Sequence, residues 1–317
     1  MNRPDLHLHL DAYLSVREAL GFQMRAARTL LRDFVHYVEN VQTSGPIRAQ
    51  LAVDWACASS SQRGASGASQ RLSMVRGFLA YLRATLPETE VPAHDVVASA
   101  RRPAPYLLTT GQIQALMRAA HQAGPQGALR PHTLSTVIGL LASTGVRVGE
   151  ALRLTLADAH LESAPPFLHI RETKFHKSRL VPLHPSTATQ LRSYISMRAT
   201  LRYDALSDVV FVSEQGHMLS HKALGSWFVA LCRRLSIEPS PGGRRPSLQA
   251  LRHRFAIERI RQWYGDGVDV QALLPTLSVY LGHLRPQESY WYLTATPELL
   301  TAAAARFQRY AMEGESQ

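Results

Sequence analysis

Lysine is almost missing from a chain rich in positive charge. Of 35 basic residues in 317, 32 are arginine and only Lys174, Lys177 and Lys222 are lysine. Cysteine is as scarce: Cys57 and Cys232 stand far apart with no CxxC spacing. That excludes a disulfide framework or a cysteine-rich zinc site and points to a reducing compartment. The 14 histidines, His7 and His9 included, show no HExxH or Cys/His ligand pattern, so no metal is assigned. No run of about 18 uncharged apolar residues occurs, so nothing is expected to span a membrane. The opening stretch MNRPDLHLHLDAYL carries Asp5 and Asp11 and lacks the apolar core of a secretory signal. The expected location is the cytoplasm.

What is present is arginine. A net charge of +11 and a pI near 10.1 call for a polyanionic partner, nucleic acid rather than membrane, because no basic amphipathic segment stands out. In residues 1–105, 12 basic and 9 acidic residues leave +3; beyond, 23 and 15 leave +8. Arginine stays protonated at usable pH, whereas lysine can exchange a proton when its surroundings shift its pKa. Two of three lysines in one short stretch therefore mark a place where a transferable proton is wanted.

Apolar spacing of three and four residues predicts helices over 8–20, 22–41 and 48–59, with breaks at Gly21 and at Ser44-Gly45-Pro46. A fourth is clearest at Leu72, Val75, Phe78, Leu79 and Leu82. Residues 92–105 lack periodicity and read as a linker carrying Arg101 and Arg102. Beyond it, Thr110 is expected to cap a helix over 111–122, and an apolar helix follows at 133–143. FLHIR (167–171) and RLVPL (179–183) alternate as two strands joined through ETKFHKS. VVFV (209–212) reads as a further strand, followed by helices near 221–235, from Ser247 to about Trp263, and after an Asp269 cap. At 317 residues there is room for two domains, each with its own core.

Four patterns in the second half carry chemistry: TGVRVGE (144–150), TKFHKSRLVPL (173–183), LQALRHRFA (248–256) and LGHLRPQESYWY (281–292). Taken alone, the first fits a solvent-facing helix with an Arg–Glu pair at i, i+3 equally well. In this order, with nine residues separating His283 from Tyr292, they resemble the tyrosine recombinase, or phage integrase, family over roughly residues 109–312. The helical first part is more weakly similar to that family's core-binding domain. The resemblance implies a mainly α protein: a helical DNA-binding domain at 1–91, a linker at 92–108, and an α+β catalytic domain with a small β-sheet at 109–317.

It also implies roles. Arg147 and Arg252 match the family's two arginines, whose paired donors suit the charge that builds on a phosphodiester under attack. Tyr292 matches the nucleophile, which forms a 3′-phosphotyrosine and so needs neither ATP nor metal. Tyr290 competes, but two positions away on a helix it faces the other side. Lys174 aligns with the hairpin lysine that protonates the leaving 5′ oxygen, with Lys177 as runner-up and phosphate contact. His283 matches a hydrogen-bond donor to the scissile phosphate, and Glu150 lies where it could orient its neighbours. One position departs from the pattern: the family's usual histidine at the start of HxxR is Gln249 here. Glutamine can donate to phosphate but cannot take a tyrosine's proton. His253 lies about 100° round the helix from Arg252 and is expected to be a structural contact. The expected partner is double-stranded DNA, which implies association with the nucleoid, bound by a homotetramer on synapsed sites, with accessory recombinases possible and no cofactor. The alternatives are a type IB topoisomerase-like enzyme and a cleavage-incompetent DNA-binding protein of the same fold.

Overall fold

A computed structural model of the chain describes all residues except 1–4, 42–44, 59, 98–103, 126, 172–177, 201–206, 241–243, 284, 294–298, 302, 306, 307 and 309–317, and, in addition, the side chains of 60–66. The chain divides into two compact units near residue 102.

Among the described residues, four helices build the first unit: α1 (Leu6–Ala19), α2 (Arg25–Val41), α3 (Ala49–Ala58) and α4 (Ser60–Leu82). Asp5 caps α1 by accepting from the backbone N–H groups of His7 and Leu8. The anticipated stripe on α4 is the core face: Leu72, Val75, Phe78, Leu79 and Leu82 are all fully buried, against Leu14, Phe34 and Val38.

The second unit is an α-helical body with one small sheet. In chain order it holds α5 (Thr110–His121), α6 (Leu129–Thr144), α7 (Val148–Arg153), β1 (Ala159–His160), β2 (Phe167–Ile170), β3 (Arg179–Pro182), α8 (Pro185–Thr200), α9 (His221–Arg234), α10 (Leu248–Gly265), α11 (Val270–Leu281) and α12 (Gln287–Leu293). The strands pair antiparallel in the order β1-β2-β3, and the β2–β3 hairpin runs in register from Phe167 opposite Pro182 to Ile170 opposite Arg179. The mainly α class with a small sheet is what the sequence led us to expect.

Details differ. The cap of α5 is Thr109, not Thr110: its hydroxyl accepts from the N–H of Gln112, whose side chain returns the bond to the N–H of Thr109. VVFV forms no strand of the sheet. Its four residues are buried as a continuous apolar run that threads the core, touching β-partners only at Val209 with Thr155 and Val212 with Met218. Helix α8, PSTATQLRSYISMRAT, was not among the elements read from the sequence. Pro185 supplies a pre-set first turn, and Ala188, Leu191, Tyr194 and Arg198 line its buried face.

Candidate active site

The site is assembled where two helices end. Helix α6 stops at Gly145 (φ +63°), whose N–H bonds Leu141 O, and α11 stops at Gly282 (φ +68°). After α11 the N–H of Gly282 bonds Val279 O and that of His283 bonds Ser278 O, the paired bonds of a Schellman cap. Only glycine serves at either point. A Cβ on Gly145 would lie 2.4 Å from a ring carbon of Phe255, and one on Gly282 would lie 2.7 Å from Arg179 and 3.2 Å from Arg147.

Three consecutive carbonyls at the end of α11 each receive one arginine. Arg179 Nε donates to Tyr280 O at 2.7 Å, an Arg252 Nη to Leu281 O at 2.7 Å, and an Arg147 Nη to Gly282 O at 2.6 Å. The other Nη of Arg252 donates to Gly145 O at 2.7 Å, so this side chain ties the ends of α6 and α11 together. Unpaired carbonyls and the negative end of the helix dipole make both termini natural seats for cations.

Glu150 sits beneath these arginines, 3% exposed. Its oxygens accept from the Arg147 side chain at 2.9 Å, the Arg147 backbone N–H at 3.0 Å and both terminal nitrogens of Arg179 at 3.2 and 2.7 Å. That uses the full acceptor capacity of a carboxylate. Burial pushes the Glu150 carboxyl up, but the hydrogen bonds and charges of Arg179 and then Arg147 outweigh it and leave it below the ordinary range. Arg252 is displaced the other way. Burial, with the charge of Arg147, lowers it to about 10, against the opposing effects of Tyr292 and Glu150. A cation this far desolvated is held at a cost that an arriving phosphate would relieve.

Tyr292 is buried on α12, while Tyr290 on the same helix is 46% exposed, the opposite facing expected of positions two apart. The His283 ring lies nearly parallel to that of Tyr292, centroids 6.1 Å apart, and its Nδ1 is 2.7 Å from the buried Ser289 hydroxyl. His253, 4% exposed on α10, places Nδ1 3.2 Å from the Tyr292 hydroxyl and meets the Trp291 ring edge-on. Gln249 is exposed, on the rim of a groove of about 870 Å³ that Arg147, His221, Lys222 and Arg233 also line.

Arg147, Glu150, Arg252, His283, Tyr292 and His253 are thus gathered around one helix end. Lys174 and Lys177 lie outside the described residues. Arg179 was not singled out from the sequence. In RLVP it alternates in phase with the buried Val181, while Leu180 is 58% exposed. A charged residue on the inner face with leucine on the outer face marks a site rather than a surface strand. In the first unit, His7, His36 and Glu39 bring one potential ligand atom each within 4.8 Å of one another, a proximity that no sequence spacing announced.

Residues 107–298 match the model of the phage integrase family. A Sinorhizobium fredii protein named "Putative integrase/recombinase y4rB" is 37% identical over 95% of this chain and 96% of its own length. The chain belongs to the phage integrase family. It is a tyrosine-type site-specific recombinase. Among other phage integrase relatives, the tyrosine recombinase XerD of Halalkalibacterium halodurans is 26% identical over 86% of this chain and 81% of its own. The fold is that of the XerH site-specific recombinase solved in a post-cleavage complex with palindromic difH substrate (TM-score 0.69, 17% identity, 89% of this chain and 79% of that one). It is also that of the Tn1549 transposon integrase solved with transposon right end DNA (TM-score 0.66, 16% identity, 96% and 99%). Among the described residues of this recombinase, no helix is long and apolar enough to cross a membrane.

Proposed function

We propose that this recombinase cleaves and rejoins double-stranded DNA at specific sites through a 3′-phosphotyrosine on Tyr292. Arg147 and Arg252 bind the non-bridging oxygens of the scissile phosphate, and Gln249 and His283 donate further hydrogen bonds to it. Lys174 delivers the proton to the departing 5′ oxygen, with Lys177 on a neighbouring phosphate. Glu150 fixes Arg147, and Arg179 fixes Glu150. Residues 1–91 form the core-binding domain, 92–108 the linker and 109–317 the catalytic domain. The working assembly is a homotetramer on two synapsed sites, as in the lambda integrase tetramer solved on a Holliday junction.

The observation that carries this reading is the convergence of Arg147, Arg252 and Arg179 on consecutive carbonyls beside Tyr292. A phosphodiester entering that cluster would exchange carbonyl partners for a full negative charge, and preorganised donors aimed at developing charge are the strongest catalytic device available without a metal. Energy kept in the tyrosyl phosphodiester makes an external energy source unnecessary.

The test is capture of a covalent complex on a nicked suicide duplex made from DNA flanking the gene. The wild-type chain is expected to become attached. Tyr292→Phe should abolish attachment with DNA binding within a few-fold, because the ring and its packing remain while the nucleophilic oxygen is gone. Attachment that survives Tyr292→Phe and disappears in Tyr290→Phe reverses the choice of tyrosine. Binding without attachment in the wild type favours a cleavage-incompetent DNA-binding protein of the same fold.

A further inference from the structure

The mechanism above leaves the proton of Tyr292 without a destination. Gln249 stands where the family pattern has an imidazole, its amide cannot accept a proton at usable pH, and it is exposed at the groove rim. The group that reaches the Tyr292 oxygen is one turn along the same helix. His253 is 4% exposed, and its Nδ1 lies 3.2 Å from the hydroxyl, within hydrogen-bond reach. Its ring is fixed by the Trp291 edge at 5.4 Å and by Tyr292 itself, so its orientation follows from packing between α10 and α12.

We propose that His253 orients Tyr292 and takes its proton at Nδ1 during strand cleavage, supplying the imidazole that position 249 lacks. This rests on the strand-cleavage reading above. The hydroxyl proton passes to Nδ1 as the Tyr292 oxygen bonds phosphorus. The bond from phosphorus to the 5′ oxygen breaks, and that oxygen leaves with a proton from Lys174. In rejoining, the 5′ hydroxyl returns its proton to Lys174 as it attacks, and the His253 imidazolium reprotonates the departing Tyr292 oxygen. Atoms and charge balance in both directions, with no further reactant. To accept at Nδ1 the neutral ring must carry its hydrogen on Nε2.

Among the described residues, charged and titratable groups near the pair lie on α10, on the turn after α11 and on the outward side of α12. Arg252 adjoins His253 on α10, and its cation is coupled to Tyr292, Arg147, Glu150 and Arg179. His283 lies over the Tyr292 ring from the turn after α11. On α12, Glu288 and Tyr290 are exposed. The Arg252 charge favours the tyrosinate, which makes the transfer to a neutral imidazole easier.

Two measurements on the full chain test this. The first needs no DNA: nitrogen NMR of histidine-labelled protein at neutral pH should show His253 as the Nε2–H tautomer, with its Nδ1 resonance moving in Tyr292→Phe. A hydrogen on Nδ1 overturns the proposal. The second is the pH dependence of covalent attachment on the nicked suicide duplex. His253→Asn keeps an acceptor near the Nδ1 position but cannot take a proton. It should attach about 10²–10⁴-fold more slowly at pH 7, with a rate that climbs roughly tenfold per pH unit toward the tyrosine pKa, while DNA affinity and melting temperature hold. A structural role would lower the melting temperature and leave the shape of the pH profile alone. Wild-type attachment with an unchanged or faster His253→Asn reaction overturns the role of His253 alone. No attachment even in the wild type overturns the function and this role together.

Discussion

A single carboxylate organises the cationic end of the site. Glu150 is nearly sealed from solvent and faces Arg179, itself 9% exposed, through two hydrogen bonds. Removing its charge leaves a buried guanidinium opposite a neutral amide, a loss of about 3–5 kcal/mol by comparison with other broken buried pairs. Glu150→Gln is therefore expected to lower the thermal stability of the protein at neutral pH and, through Arg147, to slow attachment. Acid sets the sign independently. The folded pKa of Glu150 lies below the ordinary value of 4.5, so its contribution is complete above that value and is lost as pH falls through the folded pKa. The gap between the melting curves of wild type and Glu150→Gln should narrow as pH falls from 4.5 toward the lowered folded pKa; a gap that does not narrow on acidification would show that the shift does not stabilise the fold. Lys174 is tested by its leaving group. Lys174→Ala should cripple cleavage of ordinary DNA yet cut a duplex whose leaving 5′ oxygen is replaced by sulfur, because a thiolate departs without a proton. If Lys177→Ala shows that rescue and Lys174→Ala does not, the two lysines exchange roles.

At the scale of the element, the Schellman turn after α11 aims three arginines and His283 at once. Gly282→Ala tests whether that turn is as constrained as its geometry implies. A left-handed backbone costs a residue with a Cβ roughly 1–2 kcal/mol, and the new carbon would displace Arg179 and Arg147. Melting temperature and attachment rate should fall together, and an alanine variant with wild-type attachment would mean the arginines tolerate displacement. The glycines were legible as parts of TGV and LGH, and the hairpin and most helices could be read from spacing alone. Arg179 was hidden because four residues of strand give too short an alternation to separate a buried arginine from an edge charge. His253 was placed correctly on its helix, about 100° from Arg252. What a helix wheel does not contain is which neighbour fills that direction, and α12 fills it with Tyr292. Residues 185–200 were given no element from the sequence; the regularity of α8 lies in the spacing of its buried Ala188, Leu191, Tyr194 and Arg198, among many Ser and Thr.

At the scale of the whole molecule, charge and chemistry separate. Of the net +11, residues beyond 105 carry +8, and the groove beside the arginine cluster is lined by Arg147, Lys222 and Arg233. We expect the cations on this groove wall to meet the DNA backbone, contacts that position a protein without reading its sequence. Their signature is the release of counterions. For a protein making 6–10 phosphate contacts, affinity falls by roughly 10³–10⁵ between 50 and 200 mM salt. Binding to a random duplex, measured by fluorescence anisotropy over that range, should give a straight line of log affinity against log salt. Lys222→Ala should flatten the slope by about one unit, because Lys222 stands at the groove and outside the arginine cluster. Its attachment rate at saturating DNA should stay near wild type, since among the described residues no hydrogen bond or ion pair ties Lys222 to the groups gathered at the end of α11. A slope that does not change in Lys222→Ala removes this groove from the DNA path, and an affinity indifferent to salt reduces the arginine excess to a device for solubility.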